Sequence, residues 1–325
     1  MKLHRRKFLR LMAAGAALPT LTRPAAALAY PTRPVRVIVP FPAGGGPDVA
    51  ARLVSAWLSD RLGQSFIVED RPGAGGTLAT ESVVRAAPDG YTLLSSSAAN
   101  AVNASLYDKL NFDFVRDTAP VARIGDIPFV MVVHPSLPTS SVPEFISYAK
   151  ANASKVNMAS AGVGSFSHVS GALFTIMAGV DLLHVPYRAN FMPDLLAGQT
   201  QVAFTTITFS IPYIRTGKLR ALAVTSARRS ATLPELPIIG DFVPGYEAIG
   251  WYGLSAPSKT PGDIIAKLNA ETNAGLADAK LNARLVDVGA EPTPMTPAEF
   301  GKLIADDTEK WGKVLRAAVP TNDDL

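Results

Sequence analysis

Apolar runs and helix-periodic runs alternate along almost the whole chain after residue 30. Val35–Pro40 is a β-branched run ending in a glycine-rich turn. Ala50–Leu62 carries Leu53, Val54, Trp57, Leu58 and Leu62 on one helical face. Phe66–Val68 predicts a short strand, Thr77–Ala86 a helix and Tyr91–Ser95 another strand. Further on, Val156–Ala159, His184–Val185, Val202–Thr206 and Ala221–Thr225 predict strands. Helices are expected from about Ser167 to Met177 and near Asp194. Continuous apolar strands alternating with helices predict an α/β fold whose parallel sheets are covered on both faces.

Three S/T-x-x-E/D patterns mark expected helix starts: Ser141 with Glu144, Thr296 with Glu299, and more weakly Thr260 with Asp263. Two strongly apolar strands, Phe129–Val133 and Trp251–Ala256, each close on a proline-containing segment and flank a βα block of about 120 residues. That arrangement predicts two lobes joined by two crossover strands. One lobe takes residues 30–130 plus 250–325, the other residues 131–249.

The chain has 325 residues and no cysteine, which excludes disulfide scaffolds, thiolate metal sites and cysteine nucleophiles. Its formal charge of +4 is uneven. Lys2, Arg5, Arg6, Lys7, Arg10 and Arg23 fall in residues 1–29, which hold no acid. Without those six the balance is 25 basic against 27 acidic residues, so bulk charge points to neither nucleic acid nor anionic membrane. Residues 1–29 read as an export signal: a basic start, a short apolar stretch from Leu11 to Leu18, and Ala27-Leu28-Ala29 ahead of Tyr30. His4-Arg5-Arg6-Lys7-Phe8-Leu9-Arg10 is similar to a twin-arginine motif, with a plain Sec signal as the alternative. A soluble periplasmic protein is expected, with cleavage near Ala29.

Three glycine-rich turns stand between a strand and a helix: Pro40 to Asp48, Arg71 to Gly76, and Ser160 to Ser165. Small residues let backbone amides approach a ligand, and the following helix aims unpaired N–H groups at the same point. The first and third turns, one in each expected lobe, predict an anion-binding cleft, and the second is read as structural. No Lys follows the glycines as a P-loop requires, and the G-x-G-x-x-G and G-x-S-x-G patterns are absent. Asp48 either receives a ligand amine or hydroxyl or serves the start of its helix. Of three histidines beyond the leader, His134 and His184 read as structural and His168 is the polar candidate. None has metal spacing, so neither metal nor cofactor is expected.

The motifs in order resemble the Bug family, the extracytoplasmic solute-binding proteins of tripartite tricarboxylate transporters. They are Tyr30 to Gly46 (YPTRPVRVIVPFPAGGG), Asp70 to Gly76 (DRPGAGG), Asp89 to Leu94 (DGYTLL), Gly164-Ser165 with His168, His184 to Tyr187 (HVPY), Asp194 to Gly198 (DLLAG) and Gly250 to Pro257 (GWYGLSAP). The resemblance implies a type II periplasmic-binding-protein fold with two α/β lobes and capture of a small carboxylate between them. It assigns the first carboxylate to Phe41, Ala43, Gly44, Gly45 and Asp48. The second wall would be Ser95 to Asn100, with Ser97, Ala98 and Asn100 as contacts. Gly162, Gly164, Ser165, His168, Tyr187, Thr205 and Thr206 would come from the other lobe.

Two departures stand out. Asp70, where Asn is common, is expected on the surface, and the segment Arg188 to Pro193 is about two residues short. Arg188 either meets a second anionic group or is a solvated surface arginine. The implied ligand is a di- or tricarboxylate, amino acid or aromatic acid. The implied partners are the membrane components of a tripartite transporter, with the protein itself a monomer that catalyses no reaction. The alternatives from other classes are a secreted hydrolase-type enzyme and a ligand-binding partner of a membrane sensor.

Overall fold

The computed structural model describes residues 30–41, 43–106, 110–187 and 190–318. The export signal, its cleavage site and Arg188 lie outside the described residues. The strands are β1 (Val35–Val39), β2 (Phe66–Asp70), β3 (Thr92–Ser97), β4 (Thr118–Val133), β5 (Asn157–Ser160), β6 (Leu183–Pro186), β7 (Val202–Thr206), β8 (Arg220–Val224), β9 (Ile249–Pro257) and β10 (Glu291–Pro292). The helices are α1 (Gly46–Leu62), α2 (Thr77–Val84), α3 (Ala98–Leu106), α4 (Phe114–Asp117), α5 (Val142–Ala151), α6 (Phe166–Ala178), α7 (Met192–Leu196), α8 (Ile207–Arg215), α9 (Gly262–Ala277), α10 (Ala279–Asp287) and α11 (Pro297–Ala318).

Helix α1 starts at Gly46, four residues before the apolar periodicity begins. Glycine and proline carry no periodic signal, yet Pro47 suits a first helical turn. The helix stops at Gly63, whose left-handed backbone lets its N–H return to Ser59 O. The Thr296–Glu299 capping box forms in both directions. Ser141 caps α5, while Glu144 turns back to Ser140. The third expected box does not form. Thr260 Oγ1 donates to Pro257 O instead, and α9 begins after Pro261 with no side-chain cap.

The strands form two sheets that share β4. The first has the order β2-β1-β3-β9-β4, with β10 added beside β4. The second has the order β6-β5-β7-β4-β8. Each therefore has a parallel trio with its first strand in the middle, followed by an antiparallel strand. The chain passes between sheets twice. Within β4, Pro128 still pairs with Ile249 of the first sheet, whereas Phe129 pairs with Thr206 of the second. The return runs through 248–249: Ala248 N bonds Thr225 O, and Ile249 then opens β9.

These registers place the site. Ser97, the last residue of β3, faces Tyr252, which faces Gly125, three residues before the passage. Thr206, the last residue of β7, faces Phe129 at the passage itself. The carboxyl ends of the parallel strands of both sheets thus meet where the chain crosses, and ligands of open α/β sheets bind beyond those ends. An apolar hollow lined by Ala119, Pro120, Ile265, Ala266 and Pro297 lies at the opposite end of β4 and belongs to no such convergence.

Phe166, the first residue of α6, stands edge-on to Phe129 at 5.0 Å and to Trp311 of α11 at 5.2 Å. All three rings are buried, and each such pair contributes roughly 0.5–1.5 kcal/mol beyond burial. The helix start that carries the third glycine turn is thereby pinned against the crossing strand.

Candidate ligand-binding site

Four helix N-termini follow the four converging strands: α1 after β1, α3 after β3, α6 after β5 and α8 after β7. In the first turn, Phe41 is half-buried and Ala43, Gly44 and Gly45 are exposed. Gly44 is left-handed (φ +80°), which a side chain would strain. Its N–H donates to Asp48 Oδ2 at 2.8 Å. Pro47 has no N–H. Residues 43 and 44 form a hydrogen-bonded turn that the Gly45 amide closes, so the amides at the start of α1 with no acceptor among the described residues are those of Gly46 and Asp48, ahead of the first helical bond from Val49 N to Gly45 O. The helix dipole adds to their pull on an anion.

Asp48 Oδ2 is therefore engaged by its own turn, while its buried Oδ1 has an ion pair but no hydrogen bond among the described residues. The residue is buried, and Arg52 Nε stands 2.6 Å from its Oδ1. Arg52 also reaches Asp70 Oδ2 at 2.8 Å. Asp70 is not a surface residue as expected: its side chain is 18% exposed. Burial and the neighbouring Asp48 charge push its carboxyl upward, and Arg52 opposes them. This arginine offsets the negative charge that Asp48 would otherwise hold beside an incoming anion.

The second wall is firm. Asn100 Oδ1 accepts from Ser97 N at 2.8 Å and Asn100 Nδ2 donates to Thr80 Oγ1 at 2.8 Å, all buried. Asn100 thus holds β3 and α3 in place beside Ala98, itself buried. The second glycine turn is structural: Gly75 O accepts from Asn103 Nδ2 at 2.6 Å.

The third turn spends most of its amides on itself. Gly162 N bonds Ser160 Oγ, Gly164 N bonds His168 Nδ1 at 3.3 Å, and Ser165 N bonds Gly162 O. Ser165 Oγ donates to Gly162 O and caps α6 through His168 N. His168, the polar candidate, is buried and stacked on His184, with ring centroids 4.0 Å apart. Burial, then the His184 neighbour, lowers His168 to about 3, and burial lowers His184 to about 4. Both rings are neutral at ordinary pH. Since Nδ1 of His168 accepts, its proton sits on Nε2. A serine–histidine pair does exist, Ser160 Oγ with His184 Nε2 at 2.6 Å, but Ser160 is fully buried and out of a substrate's reach.

Tyr187 is also occupied. Its hydroxyl donates to Asp194 Oδ2 at 2.7 Å, and its pKa is pushed up to about 12 by burial and then by that carboxylate. Thr205 is buried and Thr206 half-buried at the start of α8. The two halves of the site meet at Gly164. A Cβ there would stand 2.5 Å from Leu106 Cδ2 and 2.7 Å from Asn103 Oδ1, both on α3. Neither Leu106 nor Asn103 stood out in the sequence, because both sit in an ordinary apolar helix. Tyr252 was legible only as part of GWYGLSAP, yet its hydroxyl stands against Gly46.

The model of the tripartite tricarboxylate transporter family receptor (TctC) matches residues 50–319. The chain belongs to that family. Protein BugT of Bordetella pertussis is 36% identical over 301 residues, 91% of this chain and 92% of the relative. Among solved structures, Rpa4515 of R. palustris with adipate superposes with a TM-score of 0.82 at 35% identity, covering 89% of this chain and 98% of that one. Periplasmic binding protein BugD superposes at 0.79 and 35%, over 89% and 98%. MatC of Rhodopseudomonas palustris with bound malate superposes at 0.79 and 33%, over 88% and 100%. The two-sheet architecture of this family member is the type II periplasmic-binding-protein fold. No helix among the described residues is long and apolar enough to cross a membrane.

Proposed function

We propose that the protein is a periplasmic receptor that captures a small di- or tricarboxylate between its lobes and delivers it to the membrane components of a tripartite transporter. The observation that carries this reading is the pair of amides at Gly46 and Asp48, without acceptors among the described residues at the amino end of a 17-residue helix. Backbone donors at a helix start recognise an anion by charge and shape and perform no chemistry on it. The structural likeness to chains carrying adipate and malate supports a carboxylate as that anion. Residues 30–130 with 250–325 would form one lobe and residues 131–249 the other, closing over the ligand about the two passages between sheets. Phe41, Ala43, Gly44 and Gly45 would surround the first carboxylate. Ser97, Ala98, Gly162, Thr205 and Thr206 would line the remainder.

The reading is tested by a thermal-shift screen against mono-, di- and tricarboxylates, amino acids and aromatic acids. A ligand at 100 times its dissociation constant stabilises by about 2.7 kcal/mol, an easily measured rise in Tm. A flat response across all carboxylates would overturn it. Turnover of any hit, followed by chromatography, would instead favour the enzyme alternative.

A further inference from the structure

Tyr252 is nine-tenths buried, yet its hydroxyl has no hydrogen-bond partner among the described residues. The other buried tyrosines among the described residues are satisfied: Tyr30 donates to Gly90 O at 2.7 Å and Tyr246 to Ser170 O at 3.0 Å. A buried phenol normally finds such a partner. Tyr252 is directed elsewhere. It faces Ser97 across β9 and β3, and its Oη stands 2.8 Å from where a Cβ of Gly46 would lie. A Cβ at the first position of α1 would have to displace it.

The hydroxyl therefore arrives beside Gly46, where the Gly46 and Asp48 amides lack acceptors among the described residues. Both parties have a proton to donate, and neither is bonded to the other. What both lack is an acceptor. Gly44 N is taken by Asp48, and Pro47 removes another N–H from the same turn. A side-chain donor at this point adds to a depleted set. Burial also raises the phenol pKa, so it remains a protonated donor across the physiological range.

We propose that Tyr252 is a ligand-binding residue whose hydroxyl donates to the carboxylate lodged on the amino end of α1. This rests on the carboxylate-receptor reading above. The site then combines two kinds of donor on one anion: backbone amides fixed by the helix and one phenol fixed by the sheet. A planar carboxylate has two oxygens, each able to accept more than one bond, so it can engage both.

The test is Tyr252→Phe, which removes one oxygen and keeps the ring that fills the core. Adipate and malate are the probes, titrated by calorimetry into wild type and variant. Binding is expected to weaken about 10- to 150-fold, the range for one hydrogen bond to a charged group. The Tm of the unliganded protein is expected to stay within about one degree of wild type, because the hydroxyl bonds nothing among the described residues. A purely structural role would move that Tm and leave affinity alone. A second variant, Gly46→Ala, crowds Oη from the other side and is expected to weaken the same probe. If wild type binds a probe and Tyr252→Phe binds it equally well, the proposal fails while the receptor reading stands. If wild type binds no carboxylate at all, both fall.

Discussion

The Gly44 amide donates to Asp48 Oδ2 at 2.8 Å, so the glycine-rich turn closes on its own carboxylate before any ligand arrives. The bond shapes the turn, whose closure also takes the Gly45 amide, and leaves the amides of Gly46 and Asp48 without acceptors among the described residues. One oxygen of Asp48 thus serves the turn itself. Replacing Asp48 with Asn keeps an acceptor for Gly44 but removes the partner of Arg52. We expect Asp48→Asn to cost about 1 kcal/mol in denaturant unfolding and to leave carboxylate affinity within a few-fold of wild type. A collapse in affinity without loss of stability would assign Asp48 to the ligand instead.

Gly45 has φ −75° and ψ 163°, an extended conformation open to any residue. Gly45→Val should therefore fold, as circular dichroism would verify, while placing bulk beside the free amides. Carboxylate binding is expected to weaken about 10- to 150-fold by calorimetry. Wild-type affinity in the folded variant would move the anion away from the first turn.

Gly164 is left-handed (φ +77°) and lies against Leu106 and Asn103 of α3. A methyl group there has no room and adds backbone strain of roughly 1–2 kcal/mol. Gly164→Ala is expected to keep the third turn from seating on α3. Small-angle scattering with saturating ligand should then show a larger radius of gyration than wild type. An unchanged radius would mean that closure does not require this contact.

His168 and His184 have folded pKa values of about 3 and about 4, below the ordinary 6.5. Between those limits the unfolded chain binds protons that the folded chain refuses. Stability is therefore full above pH 6.5 and falls as pH drops toward 4. His168 alone accounts for up to about 2 kcal/mol between pH 7 and pH 5, and the more exposed His184 for less. Melting curves at pH 7 and pH 5 should show the loss, and His168→Gln should flatten the slope. A slope unchanged in that variant would place the titration elsewhere.

Much of the fold was present in local pattern. Apolar runs such as Phe129–Val133 form strands where the run lies, because a strand buried on both faces rarely tolerates a polar interruption. The glycine turns announced helix starts suited to anions, because chain flexibility and free amides are local properties. Apolar periodicity begins only at Ala50, but the glycine turn and Pro47 mark the start of α1, whereas Thr260 was given a cap that Pro261 took over.

Sequence alone thus determined an α/β chain with glycine-rich strand–helix turns in a family-like order. Only the tertiary structure decided which donors remain free. Gly44, Gly45, Gly162 and Gly164 look equivalent to Gly46 in the sequence, but the Gly45 amide closes the turn over 43–44 and the other three are spent on Asp48, Ser160 and His168. Tyr252 and Gly46 are brought together only because β9 pairs with β3 beneath the start of α1. The physical reason is common to both: a hydrogen bond, and the lack of one, is a relation between groups in space. Strand order and register, which local pattern does not encode, set that relation.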